Sequence, residues 1–184
     1  KIHIIGIGED GLGGVTDRAR RLIMEADLLI GEKHCLSLVG EAAGEKVAVG
    51  TNLTEVAERL AARAGSSAVV LAVGDPLFYG VARYLCDKLG KERFEVVPHV
   101  SSMQLAFARV KESWEEAFLT NLAAHSVEAV LDQVRGAEKV VLHGWMCGRC
   151  QFLVFNAPCV QRTNLIELLE SLGRITGKAP QPRF

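Results

Sequence analysis

The sequence lacks an excess of basic residues and lacks a long apolar run. Its 184 residues include 21 Lys and Arg against 22 Asp and Glu, for a net charge of −1. Proteins that neutralise nucleic-acid phosphates carry basic patches, so this balance disfavours a nucleic-acid partner. No apolar run reaches the roughly 18 residues needed to span a bilayer, and the first residues do not form a signal-peptide pattern. We therefore expect a cytoplasmic protein with no membrane partner.

The five cysteines do not form a disulfide framework or a complete metal-binding motif. Their number is odd, and Cys35 and Cys86 each stand alone, which is unlike the paired cysteines of small secreted proteins. Cys147-Gly-Arg-Cys150 is a CxxC pair with only Cys159 nearby. A structural zinc site needs further ligands at suitable spacing, so we predict no metal.

Apolar patterns predict alternating strands and helices over the first hundred residues. Such alternation is typical of right-handed βαβ units that form a parallel sheet with flanking helices. Thr16 is a suitable cap for the first helix, and Thr54 begins the second. The predicted strands cover residues 1–7, 27–30, 46–49, 68–73 and 94–97, and the later helices cover residues 80–89 and 101–109.

A composition shift near residues 111–116 indicates a second, smaller α/β unit. We therefore place an N-terminal domain at residues 1–112 and a C-terminal domain at residues 113–184. The segments predicted in the second domain are strands at 118–122, 139–142 and 151–155 and helices at 127–134 and 163–172. After about residue 143 the pattern degrades, so this domain is either incomplete or divergent.

Three predicted strands end in unusual loops, at residues Gly6–Gly14, Gly74–Gly80 and Pro98–Ser102. Ligands of parallel sheets bind outside the carboxyl ends of the strands. The coincidence of three such loops predicts a ligand site at this edge of the sheet.

The first loop matches the GxGxxG pattern of dinucleotide-binding proteins, with Gly6, Gly8 and Gly11 as its glycines. In that motif the third glycine opens a helix, but here the segment LGGV prolongs the loop. Glu9 and the aspartate after it would also stand where a pyrophosphate binds. A nicotinamide-dependent oxidoreductase is therefore a disfavoured alternative, and a flexible glycine turn is another.

The second and third loops also have two interpretations each. Asp75 either contacts a ligand or only caps the turn that Pro76 stiffens. Ser101 or Ser102 either caps the following helix or belongs to a helix start that binds a polar ligand.

The three loops in this order make the sequence resemble the tetrapyrrole methylase family, within it the branch of precorrin-6Y C5,15-methyltransferases and cobalt-precorrin-7 (C5)-methyltransferases. The segments that carry the resemblance are AVGDPLFYGVARYL and VVPHVSSMQLAFARVKESWEEA. The resemblance covers about residues 1–143. Two matching loops at this spacing are far more specific than the glycine pattern alone.

This resemblance implies a two-domain α/β protein that binds S-adenosylmethionine, in a folded conformation, in the cleft between its domains. Matching positions imply that the cofactor is bound by Glu9, Gly74, Asp75, Phe78, Ser101 and Ser102. They imply that the first loop faces the tetrapyrrole, with Gly8, Gly11 and Tyr79 as substrate-binding residues.

The sequence departs from the family pattern at three places. Pro98-His99 stands where the family commonly has Pro-Gly. His125 matches the histidine of a His-Gly-Arg motif, but the next residues are Ser-Val, so the sequence lacks the arginine that would bind a substrate carboxylate here. His125 is our candidate catalytic residue for proton handling after methyl transfer, with a packing role as the alternative. The third departure is the C-terminal part.

The implied activity is methylation of carbon C5 of a precorrin or cobalt-precorrin in cobalamin biosynthesis. The resemblance also implies a homodimer and a separate decarboxylating C15-methyltransferase. Two alternatives stay open: a related methylase of another substrate, such as uroporphyrinogen, a diphthamide intermediate or ribosomal RNA, and a cofactor-binding remnant without catalysis.

Overall fold

The structure is a computed structural model that describes residues 1–49, 53–62, 66–78, 80–121, 130, 133–134, 136–137, 139–146 and 149–156. Contacts divide the chain into a first unit at Lys1–Ser101 and a second unit that begins at Ser102. The helix after Ser101 therefore groups with the second unit.

The first unit alternates strands and helices, and its five strands form one parallel sheet in the order β3-β2-β4-β1-β5. Its elements are β1 (Ile2–Ile7), α1 (Asp17–Met24), β2 (Leu28–Gly31), α2 (Lys33–Leu38), β3 (Glu45–Ala48), α3 (Leu53–Ala62), β4 (Ala68–Val73), α4 (Val81–Leu89) and β5 (Phe94–Val97). The predicted α/β fold with a parallel sheet and flanking helices is confirmed. The short helix α2 was not predicted.

Each face of this sheet is covered by two helices. On one face Ile5 and Ile7 of β1 pack with Ala19 and Ile23 of α1 and with residues of α2. On the other face the alternate β1 residues, Ile2 and Ile4, pack with α3 and α4. Burial of each large aliphatic side chain contributes roughly 1.5–3 kcal/mol, so the two-sided core accounts for the continuous apolar strands.

Helix α1 begins where the sequence predicts. The hydroxyl oxygen of Thr16 accepts a hydrogen bond from the N–H of Ala19 at 3.2 Å. This bond satisfies one of the free N–H groups of the first turn. The cap leaves the preceding glycines outside the helix.

The second unit contains α5 (Ser102–Val110), β6 (Phe118–Asn121), β7 (Lys139–Met146) and β8 (Arg149–Asn156). Strands β6 and β7 are parallel, whereas β7 and β8 are antiparallel. Strand β7 runs beyond the predicted end at residue 142. The predicted helix at 163–172 and most of the one at 127–134 lie outside the described residues. Within the part of the chain that is described, no helix combines the length and hydropathy needed to cross a membrane.

Candidate active site

The loops that follow β4, β1 and β5 leave the sheet side by side, because β1 lies between the other two strands. Helix α1, which follows β1, packs on one face, and α4, which follows β4, packs on the other. Such a reversal of connections opens a crevice at the carboxyl ends of the two strands, where ligands bind in parallel sheets. The structure thus brings the three loops to one edge of the first unit.

Gly6 lies at the point where these three loops meet. A Cβ atom at this position would overlap the carbonyl oxygen of Gly74 and would lie 2.7 Å from the backbone nitrogen of His99. Only glycine permits backbones to approach this closely. Any side chain here would push the loops apart.

The loop after β4 is attached to β1 and braced by its own aspartate. Gly74 has a φ of 65°, which favours glycine, and its N–H donates to the carbonyl of Ile7 at 2.9 Å. The Asp75 Oδ1 atom accepts a hydrogen bond from the N–H of Leu77 at 2.9 Å, and the Asp75 carbonyl accepts from the N–H of Phe78 at 3.0 Å. The Asp75 side chain therefore holds the turn.

The first glycine-rich loop forms a 3-10 turn at Gly11–Gly13. The N–H of Gly11 donates to the carbonyl of Gly8 at 3.0 Å, and Gly11 also lies against the Leu38 backbone. Helix α1 starts only at Asp17. Because the third glycine of the dinucleotide motif opens the helix that holds the pyrophosphate, this geometry disfavours a nicotinamide cofactor.

Glu9 is bound to helix α2. Its side chain is 81% exposed, and one carboxylate oxygen lies 3.0 Å from the His34 Nε2 atom. Exposed ion pairs of this kind contribute about 0–1 kcal/mol. The pair is therefore weak enough for Glu9 to exchange it for another partner.

His99 joins the loop after β5 to the first glycine-rich loop. Its Nε2 atom lies 3.0 Å from the carbonyl oxygen of Gly14. Among the described residues, only Lys111 and Glu116 combine a side chain with a positive φ. His99 therefore does not adopt the left-handed backbone conformation that favours glycine, the residue that the resembled family commonly has at this place.

Comparison with known proteins identifies the family of this fold. The family model for tetrapyrrole (corrin/porphyrin) methylases matches residues 1–174. The chain belongs to this family of tetrapyrrole methylases. The family that the sequence motifs resemble is thus confirmed.

Two curated relatives of this chain have names that refer to precorrins. Precorrin-6Y C(5,15)-methyltransferase [decarboxylating] of Sinorhizobium sp is 33% identical over 141 residues, which cover 76% of this chain and 34% of the relative. Cobalt-precorrin-7 C(5)-methyltransferase of Salmonella typhimurium is 30% identical over 141 residues, which cover 77% of this chain and 69% of the relative. The chain thus spans about a third of the length of the first relative.

Solved structures of tetrapyrrole methylases share the fold. The cobalamin biosynthesis precorrin-6Y methylase from Archaeoglobus fulgidus aligns with a TM-score of 0.60 at 20% identity, covering 86% of this chain and 91% of that one. Uroporphyrin-III C-methyltransferase from Thermus thermophilus, complexed with S-adenyl homocysteine, aligns with a TM-score of 0.59 at 23% identity, covering 78% of this chain and 69% of that one.

The predicted cofactor-binding residues fall on the loops at the sheet edge. Gly74 is buried, and Asp75 and Phe78 are partly buried in the loop after β4. Ser101 is 3% exposed and ends the first unit. Ser102 is the first residue of α5, in the second unit.

Two predicted site residues lie outside the described residues. They are Tyr79, predicted to contact the substrate, and His125, predicted to handle a proton. Both roles stay predictions.

The same sheet edge carries exposed apolar side chains that sequence reasoning missed. Val73 at the end of β4 is 58% exposed, Leu77 in the following loop is 61% exposed, and Val100 in the loop after β5 is 47% exposed. Exposed apolar residues at the carboxyl ends of parallel strands indicate a candidate binding surface. One sequence signal could have predicted the exposed Val73: the apolar run of β4 continues to the carboxyl end of the strand.

Several groups of the first unit have displaced pKa values. Burial lowers the pKa of His3, and a hydrogen bond from Arg18 lowers the pKa of Glu95. Burial raises the pKa of Cys35 to about 11 and also raises the pKa of Cys86. The described residues contain no cluster of three or more potential metal ligands.

Proposed function

We propose that this chain is an S-adenosylmethionine-dependent C-methyltransferase that methylates C5 of a precorrin or cobalt-precorrin in cobalamin biosynthesis. The observation that carries the proposal is the convergence of three loops at Gly6, at the sheet edge where ligands of such folds bind. The names of the Sinorhizobium and Salmonella relatives support the substrate class. The S-adenyl homocysteine complex of the Thermus protein supports the cofactor.

The residues at this edge fit the proposed cofactor. Close backbone approach at Gly6 and the positive φ of Gly74 hold the loops together at this edge, and a Cβ atom at Gly6 would disturb this arrangement. The exposed Val73 and Leu77 beside it supply apolar surface for the uncharged parts of an adenosyl group, as in most small-molecule sites.

The cofactor-binding set that we propose consists of Glu9, Gly74, Asp75, Phe78, Ser101 and Ser102. For the tetrapyrrole we propose Gly8, Gly11 and Tyr79. When bound, S-adenosylmethionine supplies a methyl group on a sulfonium, which makes that carbon electrophilic. The protein's own residues then align the two reactants and exclude water, because the cofactor carries the reactive group.

Loop rigidity is the main contribution of the chain to this reaction. The Asp75 carboxylate and the bond from Gly74 to Ile7 fix the second loop before any ligand binds. A prearranged site avoids the free-energy cost of ordering loops on binding. We propose His125 for proton handling after methyl transfer. The homodimer, the cytoplasmic location and the separate C15-methyltransferase stay predictions.

Calorimetric titration with S-adenosylhomocysteine tests the cofactor site through Asp75. The Asp75→Asn variant keeps an oxygen that accepts from Leu77, whereas Asp75→Ala loses it. If the carboxylate only holds the turn, we expect wild-type affinity for the asparagine variant. The alanine variant should then bind roughly three- to tenfold more weakly, the value of one hydrogen bond. Equal weakening of both variants would indicate that the charge contacts the cofactor.

A methylation assay tests the substrate. The purified chain is incubated with S-adenosylmethionine and cobalt-precorrin-7, and mass spectrometry follows the addition of one methyl group. No binding of S-adenosylhomocysteine by the wild-type chain at millimolar concentration would refute the proposal. Binding without methyl transfer would favour a methylase of another substrate or a non-catalytic remnant.

A further inference from the structure

We propose that His99 is a positioning residue that fixes the glycine-rich loop of residues 6–14 for the tetrapyrrole substrate. The proposal rests on the proposed function for the identity of that substrate. The resembled family commonly has glycine at this place, which has no side chain to make such a contact.

The side chain of His99 spans the glycine-rich loop from its beginning to its end. A Cβ atom at Gly6 would lie 2.8 Å from the His99 Cβ atom, and one at Gly8 would lie 2.9 Å from the His99 Cε1 atom. The Cβ atom of His99 therefore lies against Gly6, and its ring lies against Gly8. Its Nε2 atom reaches the carbonyl oxygen of Gly14 at 3.0 Å. One side chain thus connects the start, middle and end of the loop.

The imidazole makes this connection as a hydrogen-bond donor. A carbonyl oxygen only accepts, so Nε2 carries the proton that it donates to Gly14. The Nδ1 atom is buried and has no hydrogen-bond partner in the described part of the chain. An unpartnered buried nitrogen lowers the stability of a fold. Stability alone therefore does not account for histidine at this position.

The contact acts on the substrate side of the site. The loop that His99 holds carries Gly8 and Gly11, the residues proposed for the tetrapyrrole. Glu9 of the same loop is proposed for the cofactor, but its side chain has a separate contact with His34 Nε2 at 3.0 Å. The loop proposed for the cofactor has its own attachment, because the N–H of Gly74 donates to the carbonyl of Ile7 at 2.9 Å. Loss of the imidazole should therefore weaken tetrapyrrole binding more than cofactor binding.

Three substitutions of His99 test the hydrogen bond. In His99→Gln the amide nitrogen is as many bonds from Cβ as Nε2 is, so it reaches Gly14. In His99→Asn the same amide is one bond too short, and His99→Gly removes the side chain. We expect the asparagine and glycine variants to raise the KM for the tetrapyrrole roughly fivefold, the value of one hydrogen bond. Their kcat and their Kd for S-adenosylhomocysteine should stay within about twofold, and glutamine should restore the KM.

Hydrogen–deuterium exchange of the ligand-free chain gives a readout that does not depend on activity. Amide exchange at Gly11–Gly14 should be faster in the asparagine and glycine variants and unchanged in the glutamine variant. The control is His34→Gln, which removes the other histidine that contacts this loop but removes no hydrogen bond to its backbone.

Several outcomes would overturn the role of His99. They are unchanged exchange in His99→Asn and His99→Gly, no restoration by His99→Gln, or a rise in the Kd for S-adenosylhomocysteine that equals the rise in KM. Failure of the wild-type chain to bind S-adenosylhomocysteine refutes the proposed function instead, and the exchange result still decides whether His99 holds the loop.

Discussion

Replacement of Gly6 by alanine tests whether the three loops need their close approach. The added methyl group would overlap the Gly74 carbonyl and lie 2.7 Å from the His99 nitrogen, and both are backbone atoms. Backbone cannot rotate away as a flexible side chain does, so β4 and β5 must move away from β1. Overpacking of this kind costs roughly 1–3 kcal/mol. Loss of the bond from Gly74 to Ile7 adds about 1 kcal/mol.

We therefore expect Gly6→Ala to lower the free energy of unfolding by about 2–4 kcal/mol. For a chain of this size the corresponding fall in Tm is roughly 5–15 °C. Circular dichroism during thermal unfolding measures the stability. Calorimetry should find that S-adenosylhomocysteine binds at least about tenfold more weakly, because we expect the misaligned loops to lose more than about 1.4 kcal/mol of binding free energy.

Gly13→Ala is the matched control for stability, because a Cβ atom at Gly13 would meet nothing within 4 Å. Its effect should stay within about 0.5 kcal/mol, as for ordinary surface substitutions. The reasoning fails if Gly6→Ala unfolds at the same temperature as Gly13→Ala and binds S-adenosylhomocysteine with wild-type affinity.

Two further predictions concern groups outside the loops. Burial lowers the pKa of His3 from 6.5, so the folded chain binds fewer protons than the unfolded chain and loses stability as the pH falls below about 6.5. Urea denaturation at pH values of about 7.5 and 5.5 measures the free energy of unfolding at each pH. Between these two values it should fall less for His3→Gln than for the wild type, and an equal fall in both proteins would contradict the prediction. Cys35 is 1% exposed and its pKa is raised to about 11, so a variant with Cys35 as its sole cysteine should resist alkylation; rapid labelling without denaturant would count against this.

Strands of the first sheet were predictable because burial on both faces leaves a continuous apolar run. The bounds predicted for β4 (Ala68–Val73) and β5 (Phe94–Val97) agree with the structure. Parallel pairing followed from the alternation with helices, and it placed three loops at one edge. The location of the candidate site was therefore available from the sequence.

Helix α2 was missed because it is too short to show a helical period. Its six residues, Lys33–Leu38, contain only two buried side chains, Cys35 and Leu36. The preceding Glu32 makes no capping hydrogen bond with its side chain. Neither of the usual signals of a helix is present.

Contacts between loops could not be predicted from the sequence. The bond between His99 and Gly14 and the pair of Glu9 with His34 each join segments that lie apart in the chain. Such contacts depend on the path of each loop, which no local pattern determines. The antiparallel pairing of β8 was missed for a related reason, since an apolar run indicates a strand but not its direction.

The position of β1 in the middle of its sheet has a consequence for synthesis of the chain. His3 pairs only with Val69 of β4 and Glu95 of β5, both far along the chain. During synthesis, the backbone hydrogen-bonding groups on both edges of the apolar segment IHIIGI therefore have no partner strand until β4 and β5 have been made. Open apolar edges are templates for pairing between molecules. Incomplete chains that contain β1 but not yet β4 and β5 are therefore expected to aggregate more readily than chains with the complete sheet.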